Sequence, residues 1–450
     1  VLADAGEAER RALTDRASTA TPDIRAKARA IVDAVRDGGD TALREANAKF
    51  GGGLTEPADA PALRVSAADL RSARDRLPTE LREGLEQMAR NIESFHAAEV
   101  PPPEQWVETE PGVNVGRVWR GLDRVAAYVP GGTAAYPSSL LMSAVPARLA
   151  GAGTFVVASP AGAGGELSPA LLGAAGLMEV EEFWVMGGAQ AVGALAYGTE
   201  SIGRVDKIVG PGNAWVTAAK LEVLDSCAID MPAGPTEVMV VADDSADPVH
   251  VAADMLSQAE HGADSPSLLV TPSVALADAV EVEIAAQLPT LLRRDILAQA
   301  VQQAATVVIT ADIAEALAFA DEYAPEHLSC VVADEDAALA ALSHAGSLFL
   351  GAYAPESAGD YAAGSNHVLP TAGAGRAYSP LGVESFGRWM QVNRVSRDGL
   401  ARILPAVAAV AEAEGLTALR RAVEILFESE ALGDVARNHR GARGLVERLH

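Results

Sequence analysis

A carboxylate and an imidazole stand side by side at Glu326-His327, after Pro325. These are common general acids and bases, and imidazole titrates near neutral pH. Neighbouring side chains of an extended chain point to opposite faces, so the pair taken alone reads as a surface glutamate beside a packed histidine. Gln258 and His261 are three apart near the end of a helical stretch over 248–262, on one face of its last turn. That spacing suits a histidine complementing a helix C-terminus, and equally half of a metal site. Zinc usually takes four ligands and a glutamine is a poor, neutral one, so a metal needs more; Asp360 and His367 are the candidates to complete it. Gly210-Pro211-Gly212-Asn213-Ala214-Trp215 follows an apolar run and opens a helix, as a dinucleotide loop does. Trp215 occupies the place of the third small residue, so that motif alone favours a plain tight turn. Glycines at 131–132 and 187–188 end two other predicted strands, and three such loops converge on the edge where open α/β sheets bind ligands. Cys227 and Cys330 sit beside apolar strand residues and read as inert packing. The chain has no GxSxG elbow, Walker loop or HExxH pair.

The elements that must position these groups change character along the chain. The first hundred residues read as helices: Thr21-Pro22 starts one that Gly38-Gly39 stops, and a second follows Thr79 with Leu81, Leu85, Met88, Ile92 and Phe95 in one stripe. Pro101-Pro102-Pro103 marks a boundary. Beyond Val113, short β-branched runs alternate with helical stretches. Strands are expected at 125–129, 154–158, 183–186, 207–209, 237–242, 267–271, 306–310, 329–333 and 347–350. This is βαβ grammar, and it predicts two α/β units on mostly parallel sheets. Residues 351–380 read as a long Gly-, Ala- and Pro-rich connection, and a helical tail begins near Asp398.

Of 450 residues, 61 are acidic and 35 basic, a net charge of −26 that repels phosphate backbones and argues against a nucleic-acid partner. Only Lys27, Lys49, Lys207 and Lys220 are lysines. The first twenty residues lack an apolar signal core and no apolar run is long enough to span a bilayer, so neither export nor a membrane is expected. Two cysteines are too few for a disulfide framework, and a cytoplasmic chain is expected.

Several longer stretches occur in one order: YVPGG (128–132), GGAQAV (187–192), VGPGN (209–213), AIDMPAGPTEV (228–238), SQAEHG (257–262), APEHL (324–328) and GDYAAGSNHVLPT (359–371). Together they resemble the histidinol dehydrogenase family over about residues 23 to 425. The resemblance implies oxidation of L-histidinol to L-histidine through a bound aldehyde, with NAD as acceptor of two hydrides and zinc (Zn2+) as resident metal. It implies Gln258, His261 and Asp360 as metal ligands, His327 as general base and Glu326 as the group that activates water. Thr236, His367 and Glu414 match substrate contacts, and Tyr128, Gln190 and Asn213 match cofactor contacts. The implied fold is α/β: two incomplete Rossmann-like domains with small helical N- and C-terminal domains, an aldehyde-dehydrogenase-like architecture. Its divisions fall at 1–22, at a discontinuous domain of 23–127 with 237–380, at an inserted NAD-side domain of 128–236, and at a dimerisation domain of 381–450. A homodimer is implied, with Glu414 acting in the neighbouring subunit's site. Two features depart from the family pattern. Leu419 stands where the family has a histidine that completes the zinc from the other subunit, and neither His439 nor His450 matches it. Pro380 and Gly382 alter a loop expected in the substrate region. A related dehydrogenase of another small polar alcohol, such as a sulfonated diol, and a non-catalytic NAD-binding relative therefore stand as alternatives.

Overall fold

The β-branched runs separate into two parallel sheets because helices cover both faces of each. The structure, a computed structural model, describes residues 13–14, 16, 20–53, 63–131, 136–162 and 165–428. Gly132, most of the expected N-terminal segment, His439 and His450 lie outside them. The chain begins with α1 (Pro22–Phe50), β1 (Arg64–Val65), α2 (Ala67–Asp75) and α3 (Thr79–His96), then β2 (Glu104–Glu110) and β3 (Val113–Gly121). It continues with β4 (Arg124–Tyr128), α4 (Pro137–Leu149), β5 (Thr154–Ser159), α5 (Pro169–Leu177), β6 (Glu182–Val185), α6 (Gly188–Tyr197), β7 (Lys207–Val209), α7 (Ala214–Glu222) and β8 (Ala228–Ile229). The next series is β9 (Val238–Ala242), α8 (Pro248–Ala259), β10 (Ser267–Thr271), α9 (Val274–Gln287), α10 (Arg294–Ala304), β11 (Ala305–Ile309), α11 (Ile313–Tyr323), β12 (His327–Val331), α12 (Glu335–Ala341) and β13 (Ser347–Leu350). Last come α13 (Glu356–Tyr361), β14 (Gly387–Val395), α14 (Arg397–Ala413) and α15 (Thr417–Glu428).

The first sheet has the order β1-β6-β5-β4-β7-β8 and is parallel except for β1; the second, β11-β10-β9-β12-β13, is parallel throughout. Both belong to one compact unit, Val1–Pro101 with Gly121–Arg388. A second unit joins Pro102–Arg120 to Trp389–His450. The grouping of 102–120 with the tail differs from the expected divisions and has a simple cause: β2 and β3 form an antiparallel hairpin in one three-stranded sheet with β14. The edge-to-face contact of Trp119 with Trp389 reinforces that pairing. Helix α1 likewise differs from its expected placement, because Ala28, Val32 and Val35 pack into the apolar core shared by the first sheet and α6.

Two local expectations are corrected. The helix begun by Thr21, whose hydroxyl accepts from Ile24 N, does not stop at Gly38-Gly39 but kinks there and runs on to Phe50. Gly39 takes the left-handed conformation (φ 55°) and Glu200 accepts from Asp40 N, giving the second segment a cap of its own. The strand expected at 329–333 begins two residues earlier, at His327, which lies opposite Val238 and Ser347. The expected connection 351–380 contains α13. Among the described residues no helix is long and apolar enough to cross a membrane.

Candidate active site

The amino ends of β9 and β12 face a cavity of about 400 Å³ that is also lined by residues following the carboxyl ends of β4 and β7. Thr236, Glu326 and His327 line it from the second sheet; Pro130, Gly210 and Asn213 line it from the first. His261, Asp360 and His367 complete the group of expected residues around it. The reading of Glu326 as a surface residue is overturned, since Glu326 and His327 are 5% and 3% exposed. β12 is flanked by β9 and β13, so its first residues enter the interior together.

Backbone contacts fix the orientation of His327. Its Nδ1 lies 3.0 Å from the Glu237 carbonyl oxygen, which can only accept, so Nδ1 carries the proton. Nε2 is left with no hydrogen bond, 3.5 Å from Asp360 Oδ1. Burial pushes the imidazole pKa down, but the charges of Glu356, Glu326 and Asp360 outweigh it and raise His327 to about 10. Glu326 Oε2 accepts from Glu237 N at 2.9 Å, and the carboxyl also bonds Thr236. Burial raises Glu326 to about 7 against the opposing charge of His327.

Glu356 was not among the expected residues. It opens α13 four residues before Asp360, so one helical face carries both carboxylates, a spacing legible in the sequence. Its Oε1 lies 3.8 Å from His327 Nδ1, and burial together with the neighbouring charges of Asp360, Asp254 and Glu326 lifts it to about 8 against the pull of His327. Asp360 itself sits below the usual carboxylate range: burial acts against this, but the contact with His327 and the charges of His327, His367 and His261 prevail.

His367 has the same proton arrangement as His327. Nδ1 donates to the Asp360 carbonyl (2.9 Å), leaving Nε2 to accept from Ser139 Oγ at 3.0 Å. Burial holds its pKa below the usual range. Ser139, near the start of α4, is a further residue outside the expected set, and unlike Glu356 it carries no sequence signal of its own.

The donor set around Asp360 fits a cation. His327, Glu356 and Asp360 offer ligand atoms within 4.8 Å of one another. Gln258 is fully buried on α8, and neither its amide oxygen nor its nitrogen has a partner. It lies one turn beyond Asp254, whose carboxylate accepts from Ser329 Oγ and the Glu356 backbone, so this side of α8 faces β12 and α13. A buried amide with two idle polar atoms is costly, and a ligand at this position would use one of them. His261 lies outside the helix rather than in its last turn, because α8 ends at Ala259 and Glu260 caps it.

On the side of the first sheet, Asn213 Oδ1 caps α7 by accepting from Trp215 N and Val216 N. Gly210 (φ 102°) approaches the Tyr128 carbonyl so closely that a Cβ would lie 2.2 Å from it. Tyr128 and Gln190 do not line the cavity. The Tyr128 hydroxyl accepts from Gly188 N, tying the end of β4 to the loop after β6, and the Gln190 amide donates to Asn47 Oδ1 and the Gly51 carbonyl, tying the start of α6 to the end of α1. Glu414 caps the C-terminus of α14 in the second unit, and Leu419, 58% exposed on α15, offers no ligand atom. The altered loop does not reach the expected region: Ser379, Pro380 and Gly382 line a separate cavity of about 630 Å³ beside His96 and Glu99. Val383 N donates to Glu99 Oε2, which turns that loop toward the end of α3. Burial pushes Cys227 up to about 12 and Cys330 to about 11, so both stay protonated.

The family model described as histidinol dehydrogenase matches residues 14–427. The chain is 44% identical over 423 residues to the histidinol dehydrogenase of Aliivibrio fischeri, covering 93% of this chain and 94% of that one. It is 41% identical over 426 residues to that of Methanosarcina barkeri, covering 95% and 97%. The crystal structure of histidinol dehydrogenase from Elizabethkingia anophelis matches with a TM-score of 0.88 at 37% identity, covering 95% of this chain and 97% of that one.

Proposed function

The chain belongs to the histidinol dehydrogenase family, and on that premise we propose that it oxidises L-histidinol to L-histidine through the aldehyde, reducing two NAD+, at the cavity around His327. The observation that carries the assignment of roles is the state of His327: Nδ1 is committed to a carbonyl and Nε2 is free inside a cavity shared with Glu326 and the Gly210–Asn213 loop. A hydride leaves carbon only as the hydroxyl proton departs; a cation bound at Asp360 and a cationic substrate would offset the carboxylates that hold His327 protonated, leaving Nε2 to take that proton from the alcohol. Once His327 has released the first proton to solvent, Glu326 takes a proton from the water that adds to the aldehyde, and His327 Nε2 takes one from the hydrate. Thr236 and His367 orient the substrate, with Ser139 fixing the tautomer of His367.

Zinc would be held by Gln258, His261 and Asp360, which the unpartnered Gln258 amide supports. When bound, the metal supplies positive charge that orients the substrate and offsets the Asp360 carboxylate, and NAD+ supplies the hydride acceptor. We assign Asn213 to direct cofactor contact, and Tyr128 and Gln190 to holding the loops beside it. Residues 128–236 form the NAD-side domain. The chain works as a homodimer in which Glu414 serves the neighbouring subunit, a reading supported by the exposure of Val410, Leu416, Leu419 and Ile425 on α14, α15 and their connection.

The test is NADH formation by the zinc-loaded protein, with L-histidinol and with a sulfonated diol. Two NADH and one histidine per histidinol support the assignment. Turnover of the diol alone would transfer the site to another alcohol.

A further inference from the structure

Glu237 follows Thr236 on the way into β9 and is 2% exposed. Its backbone reaches both proton-transfer groups: N donates to Glu326 Oε2 at 2.9 Å, and the carbonyl accepts from His327 N at 3.2 Å and from Nδ1 at 3.0 Å. Its carboxylate gathers the surrounding chain. Oε1 accepts from Glu326 N at 3.2 Å and Ala372 N at 3.1 Å, and Oε2 accepts from the Tyr323 hydroxyl at 3.4 Å. Arg16 supplies the counter-charge: one guanidinium nitrogen pairs with Glu237 Oε1, the other donates to the Tyr323 carbonyl, and the plane lies 3.5 Å over the Tyr323 ring. Ala372 adopts a left-handed conformation (φ 53°), uncommon for an alanine, and its bond to Glu237 helps to hold it there. Next to it Thr371 lines the cavity and accepts from Gly234 N.

We infer that Glu237 is the positioning residue that fixes Glu326 and His327 relative to Thr371 of the cavity wall and the adjoining Ala372, with the part-buried Arg16 as its counter-charge. It rests on the reading of Glu326 and His327 as the proton-transfer pair. The carboxylate touches no reacting atom. It sets where the Glu326 backbone sits, and so where that carboxyl meets water, while its own carbonyl holds the His327 tautomer. A shift of about 1 Å in such a group costs on the order of 100-fold in rate.

The experiment compares Glu237→Gln, Glu237→Ala, Arg16→Met and the double variant Arg16→Met/Glu237→Gln in the full zinc-loaded chain. Single-turnover rates on L-histidinol and L-histidinal, KM for NAD+ and the melting midpoint are measured, with Glu326→Gln as control. Glu237→Gln keeps an acceptor for Glu326 N and Ala372 N and is expected to lose about tenfold on L-histidinal; Glu237→Ala removes it and loses about 100-fold, with KM for NAD+ within about twofold in both. Arg16→Met strands a buried carboxylate and is expected to lose more than the double variant, which no longer carries that charge. Equal rates per folded enzyme for wild type and all Glu237 and Arg16 variants would overturn the inference, as would equal losses in Gln and Ala. Should the Glu237 variants fail to fold, the comparison of Arg16→Met with wild type decides alone, an unchanged L-histidinal rate counting against the role. A loss in Glu326→Gln without one at Glu237 sinks the positioning role only; no loss in Glu326→Gln sinks the underlying assignment with it.

Discussion

Replacing Glu326 by glutamine separates the two oxidations. The amide has the shape of the carboxyl and can still accept from Glu237 N, so the loop stays in place while the proton acceptor is lost. With the roles proposed above, the first oxidation would need only His327 Nε2 and should fall by less than about tenfold. The second would need water activated by Glu326. Removing a general base typically costs about 10²- to 10⁴-fold, roughly 3 to 5 kcal/mol of barrier. Because burial raises Glu326 to about 7, its ionised fraction grows with pH, and wild-type oxidation of L-histidinal should rise about tenfold from pH 6 to pH 8. The variant should lack that limb. Rapid mixing with L-histidinol would show one fast NADH followed by a slow one, with aldehyde that a carbonyl reagent can trap. Equal slowing of both steps, or an unchanged pH limb in the variant, would refute the division of labour between Glu326 and His327.

Lys220 and Asp230 form a buried ion pair that also receives Gly210 N and reaches the Gly210 carbonyl, clamping the cofactor-side loop. Lys220→Met should destabilise the fold by about 3 to 5 kcal/mol and raise KM for NAD+, with partial recovery in Lys220→Met/Asp230→Asn, measured by denaturation midpoint and kinetics. Gly210→Ala forces a methyl against the Tyr128 carbonyl and should weaken NAD+ binding at least tenfold by titration, since the backbone there cannot yield cheaply. Leu419→His should hold zinc against a chelator that strips the parent, as read by metal analysis; equal, tight occupancy in both would mean that another group fills the fourth position.

The alternation of β-branched runs with alanine-rich helices is enough to find nine strands of the two sheets, because the inner strands are buried on both faces and even the edge strands β11 and β13 read as short apolar runs. The hairpin and β14 were not found, since their exposed polar residues give no such run. The kink at Gly39 read as a stop because the residue that caps the second segment, Glu200, is 160 positions away. Among site residues, Glu356 was available from its spacing to Asp360 and was missed, whereas Ser139 and Glu237 acquire their roles only from tertiary contacts. The direction of the second sheet was also hidden. Ligands of open sheets gather at carboxyl ends, yet Thr236, Glu326 and His327 stand at amino ends, a placement that depends on how the two sheets share one cavity.

That placement sorts the charges of the site. Glu326, Glu356, Asp360 and, behind them, Asp254 stand around His327 on the side of the second sheet, with His261 and His367 close to Asp360. The first sheet contributes glycines, Asn213 and a lysine already neutralised by Asp230. Burial drives Glu326 to about 7, Glu356 to about 8 and Asp254 above its usual value, so these carboxyls lean toward the neutral acid, and a divalent metal together with a substrate bearing an ammonium group would favour their ionised forms. A neutral or sulfonated alcohol would leave the same carboxylates uncompensated or add to the repulsion. The electrostatics therefore favour the amino alcohol over the sulfonated diol on grounds independent of sequence likeness. Competition kinetics offers a direct check: amines should inhibit, and organic sulfonates of equal size should not.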